Sequence, residues 1–256
     1  MVRALVTGVS AGGIGEAIAR RLVRDAVLRG DEAVNIVVSA TSDSPALQEL
    51  TSGLRGMGAE AAVVYGDLED AEFPCDLVHT AAMFCDGLNL IVSNAGQSRQ
   101  GSLVDVDVED WEYMFAVHVR AAWLLARTGY YYLKKTRGSF IATGSISGCM
   151  PHPHRGVYPL VKAALISLCE NLALEWADED VRVNVVSPGL ISTQRRPKPY
   201  AAGITPLGRA GIPDDIAGTV SFLVGPDAAY ITGQNIVVDG GLSQAGLELI
   251  TRSMHG

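Results

Sequence analysis

The chain has 256 residues, of which 48% are hydrophobic and 19% charged, so it can pack a core and is not a disordered polymer. Twenty Lys and Arg against 28 Asp and Glu give a net charge of −8. That balance excludes a nucleic-acid footprint, which needs clustered positive charge.

The predicted elements alternate along the chain. Ala4–Thr7 is a short apolar run ending in glycines, read as a first strand. From Glu16 to about Arg29, Ala17, Ile18, Leu22 and Val23 share one helical face. Asn35–Ser39, Ala61–Tyr65 and Leu88–Ser93 follow as strands, then Trp111–Arg127 as a long helix. Ser139–Thr143 is a fifth strand, Tyr158–Ala177 a second long helix and Val181–Ser187 a sixth strand. Pro213–Val224 is helical, and Ile236–Val238 is the last strand. Strands this apolar are buried on both faces, which predicts an α/β fold with a parallel sheet between two helical layers. No linker, repeat or low-complexity segment interrupts it, so residues 1–256 are read as one domain.

No run approaches the roughly 18 apolar residues of a membrane span, and the stretch from Met1 to Gly13 lacks the apolar core of a signal peptide. Cys75, Cys85, Cys149 and Cys169 show neither C-x-x-C nor zinc-ligand spacing. They are expected as small core residues in a reducing compartment, which makes the expected location cytoplasmic. Neither a membrane nor a metal is expected as a partner, and His152 with His154 lacks the company a metal site needs.

Thr7-Gly8-Val9-Ser10-Ala11-Gly12-Gly13-Ile14-Gly15 follows the first strand and opens a helix. Glycines there let the backbone approach a pyrophosphate, and the helix start offers N–H donors. Tyr-x-x-x-Lys occurs three times, at Tyr130/Lys134, Tyr131/Lys135 and Tyr158/Lys162. The first two pairs, just past a predicted helix, read as a packed aromatic group with a solvated basic end. Only the third has a serine, Ser145, placed 13 residues upstream at the end of a predicted buried strand.

With these motifs in order, the sequence resembles the short-chain dehydrogenase/reductase family, from Thr7 to about Gly241. The resemblance implies a single-domain, Rossmann-type doubly wound parallel sheet with helices on both faces. It implies Ser145, Tyr158 and Lys162 as the catalytic group, with Tyr158 as acid/base. It implies a cofactor site made of Gly8, Ser10, Gly13, Ile14, Gly15, Thr41, Asp67, Leu68, Asn94, Ala95, Gly96, Tyr158, Lys162, Pro188, Gly189, Ile191 and Thr193. A free tyrosine, with a pKa near 10, is a poor base at neutral pH. A neighbouring ammonium favours the phenolate, and Lys162 is expected to supply it.

Three features depart from the family pattern. The glycine turn holds one residue more than usual, with Gly12-Gly13 where one glycine would do. His118 stands where the family often has a relay asparagine, and either a relay role or a buried structural histidine fits. Ser93 stands where many members carry a further asparagine. At the end of the second strand no acid occupies Ala40, while Ser39, Thr41 and Ser42 can donate to a phosphate. NADP(H) is therefore the favoured cofactor and NAD(H) the alternative, with Asp43 the residue that would reverse the choice. Cys149 to Arg155 must pass near the reacting carbon. The segment of about residues 194–212 resembles the family's mobile lid, where Arg195, Arg196 and Lys198 either hold an anion or face water. The implied reaction is hydride transfer between nicotinamide and a secondary alcohol or ketone of a small molecule. A cofactor-retaining epimerase or dehydratase, and a non-catalytic dinucleotide sensor, are the alternatives. A homotetramer built through the long helices, or a dimer, is expected, with the tail 242–256 covering a partner subunit.

Overall fold

A computed structural model describes residues 1–246. Seven strands form one parallel sheet: β1 (Val2–Val6), β2 (Val34–Ala40), β3 (Glu60–Tyr65), β4 (Leu90–Ser93), β5 (Ser139–Thr143), β6 (Arg182–Pro188) and β7 (Asn235–Val238). Their order is β3-β2-β1-β4-β5-β6-β7. The chain therefore starts in the middle, runs out to one edge, and returns to fill the other half. The turnaround lies between β1 and β4, which pair through Ala4–Leu90, Leu5–Ile91 and Val6–Val92. A crevice opens beyond the carboxyl ends of the strands at such a switch point.

Strand alternation divides the core. Ala4, Val6, Ile36 and Val38 point to one layer, with Ile18 and Leu22 of α1 (Ile14–Leu28), Leu47 and Leu50 of α2 (Pro45–Gly56), and Ile216 and Val220 of α7 (Pro213–Val224). Leu5, Val37 and Ile91 point to the other, with Leu77 of α3 (Phe73–Cys85), Leu125 of α5 (Ala121–Thr136) and Leu165 of α6 (Tyr158–Glu175). Each face buries a continuous apolar surface, the two-sided burial expected of these strands.

Several predicted boundaries move. Helices α2 and α3 were not anticipated. Both carry a proline in the first turn, Pro45 and Pro74, and Ser44 caps α2 by accepting from Leu47 N–H at 3.3 Å. The predicted helix Trp111–Arg127 is three pieces: α4 (Val108–Phe115), a wide π turn (Ala116–Arg120), and α5. Tyr130 to Lys135 thus lie within α5 rather than past a helix. Tyr130 packs on Trp176 at 5.1 Å, with Lys134 paired to Glu179, whereas Tyr131 is exposed rather than packed into the core. Cys149 is exposed, contrary to the expectation of four core cysteines. It follows the short turn Ile146–Gly148, where its Sγ meets Asn235 Nδ2 at 3.1 Å. Of the predicted tail, Leu242–Gln244 forms a 3-10 turn, and residues 247–256 lie outside the described residues. Among the described residues no helix is long and apolar enough to cross a membrane.

Candidate active site

The glycine turn connects β1 to α1. Gly8 and Gly12 both have positive φ, at 68° and 63°. A Cβ on Gly8 would stand 2.3 Å from Ala95 Cα, and one on Gly15 would stand 2.8 Å from Gly8 O, so both positions need bare backbone. The additional residue is absorbed in the Ser10–Gly13 turn, closed by Gly13 N–H to Ser10 O at 3.0 Å. Gly13 is the N-cap of α1 and carries no side-chain cap, whereas Gly12 lies under Gln194 and donates to Glu16 at 2.8 Å. An uncapped helix start beside close-packed glycines fits a dinucleotide pyrophosphate.

Asn94, Ala95 and Gly96 continue from β4. Asn94 Nδ2 donates to Thr7 O at 3.0 Å and to Gly8 O at 3.1 Å. Its Oδ1 accepts from Thr143 at 3.1 Å. Thr7 Oγ1 in turn accepts from Asn94 N–H and Ala95 N–H at 3.0 and 3.2 Å. These bonds tie the ends of β1, β4 and β5 into one floor. Thr7 and Thr143 were not singled out from sequence; a threonine ending a buried strand carried no signal by itself.

At the outer strands, Ala40 ends β2, followed by exposed Thr41 and Ser42. Asp43 is engaged elsewhere, accepting from Tyr65 Oη at 2.7 Å, Gln48 Nε2 at 2.8 Å and Ser44 N–H at 2.8 Å. These donors, Tyr65 first, hold its carboxyl below the usual range. Asp67 is exposed and accepts from Glu69 N–H at 2.9 Å, beside buried Leu68. On the other side, Gly189 N–H donates to Val238 O, and Ile191 is buried. Thr193 and Arg196 close a turn through Arg196 N–H to Thr193 Oγ1 at 3.1 Å.

Ser145 stands just past β5 and caps the following turn by accepting from Ser147 N–H at 3.1 Å. Tyr158 and Lys162 share one face of the first turn of α6. Burial pushes the Tyr158 pKa up; the Ser145 hydroxyl, then Arg155 and Arg196, oppose it. Lys162 stands over the same ring. Its Nζ lies 5.7 Å from the ring centroid and donates to Thr143 O at 2.7 Å. Burial lowers the Lys162 pKa to about 8.

His118 sits in the π turn, 2% exposed. Its ring meets that of Tyr158 edge-on at 5.7 Å, and a Cβ on Gly96 would stand 2.3 Å from its Cε1. Burial first, then the charge of Lys162, lower its pKa to about 3, so it is neutral. Nε2 lies 2.8 Å from Gln97 O and 3.3 Å from Gln97 N–H; with the shorter contact taken as the donor bond, Nδ1 is an acceptor, buried and without a partner.

The site is that of an oxidoreductase fold, and the comparisons agree. A family model described as "Enoyl-(Acyl carrier protein) reductase" matches residues 8–243. The chain belongs to the short-chain dehydrogenase/reductase family, a family of oxidoreductases. It is 37% identical to the Bos taurus "Dehydrogenase/reductase SDR family member 4", over 93% of this chain and 86% of that protein. It is 33% identical to a Synechocystis "3-oxoacyl-[acyl-carrier-protein] reductase", over 93% of this chain and 96% of that protein. A Burkholderia cenocepacia short-chain dehydrogenase solved in complex with NADP superposes with a TM-score of 0.85 at 31% identity, over 94% of this chain and 97% of that one.

Proposed function

We propose that this protein transfers hydride between a nicotinamide cofactor and a secondary alcohol or ketone of a small molecule, with Tyr158 as acid/base. The observation that carries this reading is Tyr158 and buried Lys162 together at the start of α6, with Lys162 Nζ 5.7 Å from the Tyr158 ring and Ser145 just past β5. In reduction, Tyr158 gives its proton to the carbonyl oxygen, and Ser145 hydrogen-bonds the same oxygen as charge develops there. The bound nicotinamide supplies the hydride to the carbonyl carbon. Lys162, turned to Thr143 O, would hold the nicotinamide ribose. The Nδ1 acceptor of neutral His118 is suited to a proton relay towards Lys162.

Gly8, Ser10, Gly13, Ile14 and Gly15 would hold the pyrophosphate. Thr41, Asp67 and Leu68 would line the adenosine. Asn94, Ala95, Gly96, Pro188, Gly189, Ile191 and Thr193 would bound the nicotinamide side. We assign NADP(H) as the preferred cofactor because no carboxylate stands at Ala40 and Asp43 is occupied by Tyr65, Gln48 and Ser44. Association into a homotetramer, or a dimer, would cover Trp123 and Tyr131 on α5 and Leu160 and Leu174 on α6, all exposed in the monomer.

Titration with NADPH and NADH, read by nicotinamide fluorescence, tests the cofactor. Tighter NADPH binding is expected, and NADH preference would reverse the assignment. Tyr158→Phe should lower turnover by at least about a hundredfold while cofactor affinity stays within about twofold. Retention of most of the rate would remove Tyr158 from the acid/base role. Net consumption of cofactor with a carbonyl substrate separates this reading from an epimerase or a sensor.

A further inference from the structure

Arg155 lies in the loop between Ser145 and Tyr158, and its guanidinium carbon stands 5.6 Å from the centre of the Tyr158 ring. Its Nε is buried and has no hydrogen-bond partner. Among the described residues no carboxylate lies within ion-pair distance of it. A buried guanidinium nitrogen without a partner is costly, and native proteins rarely leave one.

The backbone around Arg155 is held firmly. Arg155 pairs with Gly101 in an isolated parallel bridge, with Gly101 N–H donating to His154 O at 3.2 Å and Gly156 N–H to Gly101 O at 2.9 Å. His154 is held at φ 61°, a left-handed conformation that favours glycine. Gly156 and Val157, the next residues, line a neighbouring cavity of about 110 Å³ with Arg99, Gly101, Asp105 and Asp110; Arg155 itself is not part of its wall. On the neighbouring segment, the buried Ser98 Oγ also has no partner.

Nearby charges do not neutralise Arg155. Arg99, on the adjoining segment, is taken by Asp110 and lies 4.6 Å over the Tyr113 ring. His152 is bonded to Ser147 at 2.8 Å, and burial followed by the charge of Arg155 lowers its pKa. Arg196, from the lid, adds positive potential at the same Tyr158 hydroxyl. In a chain of net charge −8, this is a local cationic field facing the reacting oxygen.

We propose that Arg155 receives a carboxylate carried by the substrate next to the reacting carbon, so that the preferred substrates are small oxo or hydroxy acids. This rests on the reading of Tyr158 as acid/base. A planar guanidinium takes a carboxylate through two parallel hydrogen bonds, which fixes orientation as well as affinity. The carboxylate is not itself transformed. In reduction the nicotinamide hydride adds to the adjacent carbonyl carbon, Tyr158 protonates the oxygen, and the oxo acid becomes the hydroxy acid.

The test compares pyruvate and phenylglyoxylate, each against its methyl ester, with the cofactor that binds. In the wild type, kcat/KM for each acid should exceed that for its ester at least tenfold. Arg155→Leu should reduce that acid-to-ester ratio by at least about thirtyfold, mainly through KM of the acid. Arg155→Lys should recover part of it, having the charge without the fork. Wild-type preference for the esters would overturn the proposal. So would equal losses on acid and ester with a shifted pH profile, since Arg155 would then act through Tyr158. Turnover of neither acids nor esters, or of the esters alone, would overturn this inference; the hydride-transfer reading stands or falls separately, on cofactor binding and on Tyr158→Phe.

Discussion

Around Asn94 every side-chain polar atom is bonded: Nδ2 to two carbonyl oxygens, Oδ1 to Thr143, and Thr7 Oγ1 to two amides. Near Tyr158, Lys162 and Ser145 are bonded but other polar atoms are not. Among the described residues the buried side-chain atoms without a partner are Ser98 Oγ, His118 Nδ1 and Arg155 Nε, and each belongs to a segment on the substrate side. An unmade buried hydrogen bond costs about 1–3 kcal/mol. The nucleotide half is therefore complete as folded, and the substrate half holds polar capacity in reserve. The two can be separated experimentally, because substitutions should act with different sign and size in each.

The largest effect is expected on the complete side. Gly8→Ala must place a Cβ 2.3 Å from Ala95 Cα, at a residue with φ 68°. The neighbour is backbone and cannot swing away. A loss of about 3 kcal/mol or more is expected, which lowers Tm by about 6 °C or more for a chain of this size. Cofactor affinity should fall with it. A calorimetric Tm within 2 °C of the wild type would show that this turn yields, and the contrast would fail on its rigid side.

His118 gives the next effect, through pH. Its pKa is about 3 in the folded chain against 6.5 for the free side chain. Above about pH 6.5 it is neutral in both states and has no influence on stability through its proton. As pH falls below 6.5 the unfolded chain binds a proton that the folded chain refuses, so stability is lost. Between pH 7 and pH 5 this is worth about 2 kcal/mol. His118→Asn, which has no such proton, should flatten the fall of Tm over that range. An identical slope in the two proteins would mean that His118 meets the proton in some other way. Its activity reports separately on the relay, where a rate loss below about threefold in His118→Ala would place His118 outside it.

The sheet was readable because most strands are largely apolar runs, several closed by glycine or proline, as after Tyr65, Thr143 and Ser187. That same apolar richness hid α3, where Phe73 to Cys85 gives little contrast between faces. The start of α2 was present as Ser44-Pro45, an N-cap followed by a first-turn proline. The residues before it, Ser39 to Asp43, carry the cofactor argument, and Ser44-Pro45 lies just beyond them. The π turn at Ala116–Arg120 has no local signature. It reflects where His118 must pack, against Gly96 and Gln97 on another element. Lys162 was identified by spacing, but spacing could not reveal that its Nζ turns to Thr143 O. Arg155 was seen as part of a loop near the reaction and given no role. Only burial without a partner singles it out, and burial is a property of the fold.

The smallest effect tests the contrast most directly, with one hydroxyl removed from each half. Thr7→Val keeps the shape but deletes the oxygen that accepts from Asn94 N–H and Ala95 N–H. Two donors in the floor of the site then lose their partner, at a cost of about 1–2 kcal/mol. Ser98→Ala deletes a buried oxygen that bonds to nothing. No partner is stranded and a desolvation cost disappears, so stability should rise by up to about 1 kcal/mol. Denaturant unfolding of both variants gives the two signs. If Ser98→Ala loses as much as Thr7→Val, its hydroxyl is satisfied in solution, and the substrate half would be as complete as the other.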